Sequence, residues 1–255
     1  MNLPPLLFVA LASKLIALVL WAGGMDARVG AAFFCGPDPF LLLALFVPAA
    51  QGLVRVHTRF ATTRQEVWLT IDDGPDPDDT PRILDLLDQH GARATFFVIG
   101  ERAARWPHLI REIVRRGHEI GHHTHTHPAA TFWCAGPTRL TAELDRTLAT
   151  LQENGIRPQR FRAPVGIKHL FLDPVLARRG LSYVGWSVRS GDCRAASPEA
   201  VRDHAASKLK PGAILLVHEG PSVPANVRVT GIALLLAAVT ARGFTYVVPP
   251  ADALR

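Results

Sequence analysis

Between residues 67 and 248, short apolar runs alternate with longer stretches of helical periodicity, and this alternation constrains the fold more than any other feature of the chain. Repeated β-α units of this kind bury their strands between helices and build a parallel sheet. Strands are predicted at 67–72, 94–99, 118–121, 160–163, 182–188, 213–217 and 244–248. Helices are predicted between them. One covers 81–90, with Thr80 as N-cap and Pro81 at the first helical position. Two more cover 103–116 and 138–154, ended by Gly117 and Gly155, and the last two run over 198–208 and 229–242, with Gly243 as the final stop. No internal repeat, low-complexity tract or linker interrupts the series. The expected fold is a distorted (β/α) barrel of about seven parallel strands over 66–255, preceded by an apolar helical segment in 1–65.

Loops after the strands of such a barrel share one face, where reactive side chains collect. Asp72 and Asp73 end the first predicted strand, a histidine cluster ends the third, Arg162 ends the fourth, Asp192 follows the fifth and His218 ends the sixth. Neighbouring residues of a regular strand face opposite sides, so Asp72 and Asp73 can share a site only because Gly74-Pro75 stops the strand. The bland alternative is a solvated acidic turn, since Asp76, Asp78 and Asp79 follow. An EF-hand is excluded, because the glycine falls at the third loop position and Ile83 stands where a glutamate is needed.

Of 11 histidines, five lie at 118, 122, 123, 125 and 127. His118/His122 and His123/His127 both have the i, i+4 spacing that brings two rings to one face of a turn. The second pair lies beyond the strand and is the better chelate; His118, His122 and His125 are read as packing or surface histidines. Two imidazoles and one carboxylate are a common ligand set for a catalytic divalent ion, zinc above all, with a position left for water. A second carboxylate beside that water could deprotonate it, which points to hydrolysis.

Four ordered motifs sharpen this reading: Thr-Ile-Asp-Asp-Gly-Pro (70–75), His-Thr-x-Thr-His (123–127), Arg-Ala-Pro-Val-Gly (162–166) and Leu-Leu-Val-His (215–218). Together with Ala94-Thr95-Phe96-Phe97, they resemble the polysaccharide deacetylases of the NodB-homology type, carbohydrate esterase family 4, over about residues 66–250. The resemblance implies that Asp73, His123 and His127 hold the metal and that Asp72 is the general base. It further implies that Arg162 holds the base carboxylate and that His218 protonates the leaving amine. A guanidinium fixes a carboxylate's rotamer, and a histidine titrates near neutrality, so elementary chemistry agrees. On their own residues alone, Arg162 also fits a structural ion pair and His218 a barrel-mouth histidine. The backbone N–H of Val165, after Pro164, would complete an oxyanion hole.

The chain departs from the family pattern in two places. Val165 stands where an aromatic residue is common, and Arg189-Ser190-Gly191-Asp192-Cys193 replaces an Asp-x-x-Asp-Trp motif. Asp192 survives from it, either to orient His218 or as a plain loop aspartate. These losses predict a substrate groove unlike that of the usual glycan-chain enzymes.

Residues 3–22 approach the roughly 20 apolar residues that cross a bilayer, with Lys14 in the middle, and 39–54 form a second apolar run containing Pro48. A short helical hairpin at a bacterial-type inner membrane is expected, ahead of a single anchor or a cleaved signal, because Met1-Asn2-Leu3-Pro4 lacks a positive charge. Arg55, Arg59 and Arg64 outnumber the lone Arg28 of the intervening loop, which leans the large domain toward the cytoplasm. The net charge of +6 comes from scattered Lys and Arg without interleaved aromatics, so nucleic acid is not an expected partner; anionic lipid or an acidic glycan suits it equally. Cys35, Cys134 and Cys193 make neither a disulfide framework nor a zinc knuckle and are read as bland thiols.

The expected function is metal-dependent removal of N-acetyl groups from an amino sugar of an envelope polysaccharide or lipid-linked glycan. No protein partner is predicted. The alternative is a catalytically weak glycan-binding or membrane scaffold protein that keeps the fold. A glycosidase would need two opposed carboxylates and has no use for the histidine pair.

Overall fold

A computed structural model describes residues 4–255, so Leu3 and the Met1-Asn2-Leu3 part of the signal-peptide argument lie outside the described residues. Among these, β1 (Glu66–Asp72), β2 (Ala94–Val98), β3 (Glu119–His122), β4 (Arg160–Phe161), β5 (Ser182–Tyr183), β6 (Val188–Arg189), β7 (Ala213–His218) and β8 (Thr245–Tyr246) form one eight-stranded sheet. Every ladder is parallel, in the order β5-β4-β3-β2-β1-β7-β6, with β8 pairing the start of β1. β1 lies at the centre. Val67, Trp68, Leu69 and Ile71 are buried on both of its faces, which is why it reads as a continuous apolar run.

The predicted strand 182–188 is a single extended passage with two partners. Val184 N–H donates to the Phe161 carbonyl beside β4, whereas Ser187 N–H donates to the Ile214 carbonyl on β7. The passage therefore crosses from one edge of the sheet to the other and closes the barrel. Only its ends form ladders, so eight strands stand where seven are expected.

Helices α4 (Asp79–Gln89), α7 (Pro137–Glu153), α9 (Pro198–Ala206) and α10 (Arg228–Ala241) fall where periodicity places them. Thr80 is not the cap of α4. The Asp76 carboxylate accepts the N–H groups of Asp78 and Asp79 instead, and Thr80 lies inside the first turn. The expected helix 103–116 is two helices, α5 (Gly100–Arg105) and α6 (Pro107–Arg115). Pro107 has no N–H and disfavours helical dihedrals at Trp106, whose φ of −126° and ψ of 56° mark the break. One short helix, α8 (Leu172–Ala177), has no counterpart in the sequence reading.

The N-terminal segment folds as α1 (Pro5–Ala22), α2 (Ala27–Cys35) and α3 (Asp38–Phe46). The second apolar element begins at Ala27 rather than 39, because the Asp26 carboxylate caps α2 by accepting the N–H groups of Arg28 and Val29. It stops before Pro48. Pro5–Ala22 and Ala27–Phe46, the latter with a break at Gly36-Pro37, are each long and apolar enough to cross a membrane. Lys14 does not stand alone in this setting: its ammonium donates to Asp38 Oδ1 and to the Phe34 carbonyl, at 2.7 Å each.

Residues just before β1 belong to the barrel. Val54 and Val56 pack with Phe161 and Tyr183, and Phe60 packs with Trp68, Ile214 and Leu254. The expected boundary between residues 65 and 66 cuts through this packing, since the barrel's body reaches back to about Val54. The hairpin rests on the loop after β4. Lys168 donates its backbone N–H to the Leu45 carbonyl and its Nζ to that of Val47. Gly166, at φ 74°, meets Pro48 and Trp186 so closely that a Cβ would come within 2.7 Å of both.

Candidate active site

The central pairing sets the first geometric fact: Asp72, the last residue of β1, is in register with His218 at the end of β7. Asp73 then takes a left-handed conformation, φ 74°, which aspartate tolerates better than most side chains, and so leaves the strand's alternation beside Asp72. Four non-glycine residues among those described have positive φ: Asp73, Thr124, His127 and Val165. All sit in loops at the barrel mouth. Strain of this kind persists only where surrounding structure over-determines it, and it concentrates at sites of function.

Asp73 Oδ1 lies 3.5 Å from His123 Nε2 and 3.4 Å from His127 Nε2. In a tetrahedral site with zinc–ligand distances of about 2.0–2.2 Å, ligand–ligand edges are roughly 3.3–3.5 Å. Asp73 Oδ1 is also buried without a hydrogen-bond partner, whereas Oδ2 accepts from Ser222 Oγ at 2.7 Å. The His123 Nδ1–H donates to the Arg162 carbonyl at 2.8 Å, which leaves Nε2 with its lone pair in the site. Burial pushes His127 down to about 4, and neighbouring His123 adds to the shift, so its ring is neutral at neutral pH. Burial works against ionisation of Asp73, yet His123 and His127 hold its carboxyl well below the usual range. One carboxylate and two imidazoles thus converge on one point, and this donor set fits a divalent ion.

Arg162 is fully buried, and each of its guanidinium nitrogens donates a hydrogen bond. Its Nη1 donates to Asp72 Oδ1 at 2.7 Å and to Thr70 Oγ1 at 2.8 Å, while Nε and Nη2 donate to the carbonyls of Val184 and Gly185. Its Cζ stacks 4.2 Å from the Phe97 ring centre. Burial pulls the guanidinium below its ordinary range, and the Asp72 carboxylate opposes that pull. The remaining Asp72 oxygen, Oδ2, stands 3.7 Å from His123 Nε2.

Opposite the first cluster, His218 Nδ1 donates to Asp192 Oδ1 at 2.9 Å, and its backbone N–H donates to Asp192 Oδ2 at 2.6 Å. Burial opposes protonation of His218, but the Asp192 bond and charge outweigh it and raise the imidazole well above its ordinary value. Pro164 opens the short turn after β4. Val165 follows at φ 49°, half exposed, and lines the cleft.

The structure therefore gathers Asp72, Asp73, His123, His127, Arg162, Val165, Asp192 and His218 around one cleft, with Pro164 buried behind it. His122 is held elsewhere: its Nε2–H donates to the Leu144 carbonyl and its Nδ1 accepts from Thr124 N–H. His118 packs at a tilt against Phe96, and His125 is buried beside Gly100, so neither joins the cluster.

Three residues at the site escape the sequence reading, Ser222, Trp186 and Glu219, and a fourth, Cys193, is read there only as a bland thiol. Ser222 bonds Asp73 from the loop after β7, and Trp186 supplies an aromatic wall from the closing passage. Cys193 places its Sγ 3.4 Å from His218 Nδ1. Glu219 is buried behind Gly74, is pushed up to about 8 by burial, and accepts from the Thr80 hydroxyl. Glu219, adjacent to the Leu-Leu-Val-His motif, and Cys193, adjacent to Asp192 in the altered motif, carried a signal that could have been used.

The chain as a whole is similar to known proteins. The sequence profile of the polysaccharide deacetylases matches residues 60–184. A chitooligosaccharide deacetylase of Sinorhizobium fredii is 37% identical over 206 residues, covering 75% of this chain and 93% of the relative. A peptidoglycan-N-acetylglucosamine deacetylase of Bacillus cereus is 31% identical over 194 residues, covering 73% and 68%. Among solved structures, a family 4 carbohydrate esterase from Streptomyces lividans in complex with acetate superposes with a TM-score of 0.65 at 34% identity, over 74% of this chain and 96% of that one. Identity of this level, sustained over 68% to 96% of such relatives and joined to a common barrel, places the chain in the polysaccharide deacetylase family.

Proposed function

We propose that the protein is a metal-dependent deacetylase that removes N-acetyl groups from an amino sugar presented at a membrane surface, as part of an envelope polysaccharide or a lipid-linked glycan. The observation that carries this reading is the cleft's two-sidedness: a three-ligand cluster with a free carboxylate faces a histidine held by its own aspartate.

A divalent ion held by Asp73, His123 and His127, most simply Zn2+, would supply a Lewis acid that acidifies water and polarises the amide carbonyl. Asp72, with Oδ1 engaged by Arg162, keeps Oδ2 beside His123 to take the proton of the attacking water. Arg162 sets the rotamer of that base through its fixed fork of donors. Negative charge that develops on the carbonyl oxygen would be met by the backbone N–H of Val165, on the strained turn after Pro164. His218, kept protonated by Asp192, delivers a proton to the amine as the C–N bond breaks.

The membrane part of the proposal rests on the hairpin. Phe8, Leu15 and Val19 are each more than 60% exposed on its outer surface. An apolar face of this extent suits lipid rather than water. The hairpin also abuts the turn that carries Val165, so attachment would bring the cleft close to the bilayer. Arg189 and Arg194 line the cleft, which favours a substrate bearing phosphate or another anion.

The test is acetate release by the detergent-solubilised, metal-reconstituted full chain, from N-acetylated chitooligosaccharides and from a phosphate-bearing N-acetylamino-sugar lipid in vesicles. A higher kcat/KM for the lipid is expected. Equal values would remove the lipid-linked preference, and a metal-loaded protein that releases acetate from neither would favour the glycan-binding scaffold.

A further inference from the structure

Cys193 occupies the place of the family motif's tryptophan and forms, with two of the proposed catalytic groups, a second set of metal-binding atoms. His218 Nδ1 and Asp192 Oδ1 are 2.9 Å apart, Cys193 Sγ is 3.4 Å from Nδ1, and Sγ is 3.6 Å from Oδ1. A tetrahedral zinc site with one sulfur ligand has edges of roughly 3.3–3.6 Å. The two edges to sulfur already match such a tetrahedron, whereas the third is a hydrogen bond that has to widen as its proton leaves. Cys193 and His218 both line the cleft, so solvent can provide a fourth ligand.

We propose that Asp192, Cys193 and His218 form a second, inhibitory site for thiophilic divalent cations such as Zn2+ or Cd2+. Binding would release the proton on His218 Nδ1 and the thiol proton of Cys193 to solvent as the metal–nitrogen and metal–sulfur bonds form. Asp192 would then engage the cation instead of the imidazole. The histidine, held as a neutral ligand, could no longer serve as an imidazolium proton donor. A thiolate also separates the two sites chemically. Asp73, His123 and His127 offer only oxygen and nitrogen, whereas sulfur selects zinc and cadmium over magnesium and manganese.

The consequence is biphasic zinc dependence: activation as the first site fills, then loss of turnover as the second does. The inhibitory arm rests on the assignment of His218 as proton donor, but the binding arm does not, so the experiment reads both. The full chain, with the exposed Cys35 and Cys134 replaced by serine, is stripped with chelator and titrated with Zn2+, Cd2+ and Co2+. A second bound equivalent is expected, together with a thiolate-to-cobalt charge-transfer band that appears only as that equivalent binds. Cys193→Ser should lose both the second equivalent and the band. His127→Ala, with the first site broken, should retain the band, so a folding failure of one variant does not remove the test. Saturating Zn2+ should lower turnover by ~10²-fold or more, the usual worth of a positioned acid, whereas excess Mn2+ should not. A single equivalent in the parent protein, or a thiolate band that survives Cys193→Ser, overturns the site. A second equivalent and its band without inhibition overturns the inhibitory role and, with it, the assignment of His218 as proton donor.

Discussion

The N-terminal hairpin and the barrel arrange polarity in opposite senses. In the barrel, Val67, Leu69 and Ile71 are buried at the centre and charged groups gather at the mouth. In the hairpin, Phe8, Leu15 and Val19 face outward, while Lys14 turns inward to Asp38 and the Phe34 carbonyl. Both obey the same rule, that a charged group needs a partner once water is gone. They differ in what surrounds them: the barrel's exterior suits water, and that of the hairpin suits hydrocarbon. On the proposed function, the chemistry belongs to one region and its placement at a surface to the other.

Equal substitutions in the two regions should give unequal results. Leu69→Asp puts an unpaired charge in the barrel core and should unfold it, at a cost of about 4 kcal/mol or more, read as loss of the thermal transition. Leu15→Asp should leave the melting of the barrel unchanged and reduce partition into vesicles. A barrel that melts normally with Asp at 69, or collapses with Asp at 15, breaks the comparison.

At the mouth, His123→Ala or His127→Ala should abolish both metal retention and hydrolysis while the circular dichroism of the barrel persists. Asp72→Asn should keep the metal and lose turnover by ~10²-fold or more. Metal lost from this variant but kept by Asp73→Asn would exchange the roles of the two carboxylates.

Truncation tests where the regions divide. A chain beginning near Gln51 keeps Val54, Val56 and Phe60 and should be soluble and active on short chitooligosaccharides; one beginning near Arg64 removes those buried side chains and should be insoluble. Equal solubility of the two would show that the segment before β1 is dispensable.

A smaller effect concerns pH. His218 is raised well above its ordinary value because the Asp192 bond outweighs burial, so its charged form favours the fold at low pH, and that contribution is lost as pH rises through the folded value. Activity that needs the imidazolium should fall over the same range. Asp192→Asn removes the raising charge and should move the alkaline limb of the kcat/KM profile to lower pH. An unmoved limb would separate Asp192 from the proton donor.

The sequence by itself determined the alternation of strands and helices, and with it the barrel, because the apolar periodicity of each segment is a local property that packing only ratifies. It also determined which strand ends carry carboxylates and histidines, since topology brings those ends to one face. Only the tertiary structure decided how the passage 182–188 divides between β4 and β7, because that depends on which backbone groups it meets, and its side chains do not encode them. Pro107's break could be read locally, whereas the support of Asp73 by Ser222 and the approach of Cys193 to His218 join residues far apart in the chain. The pairing of Lys14 with Asp38 belongs with these. A lone charge in an apolar run looks costly until a second helix supplies its counter-ion, and only folding brings the two together.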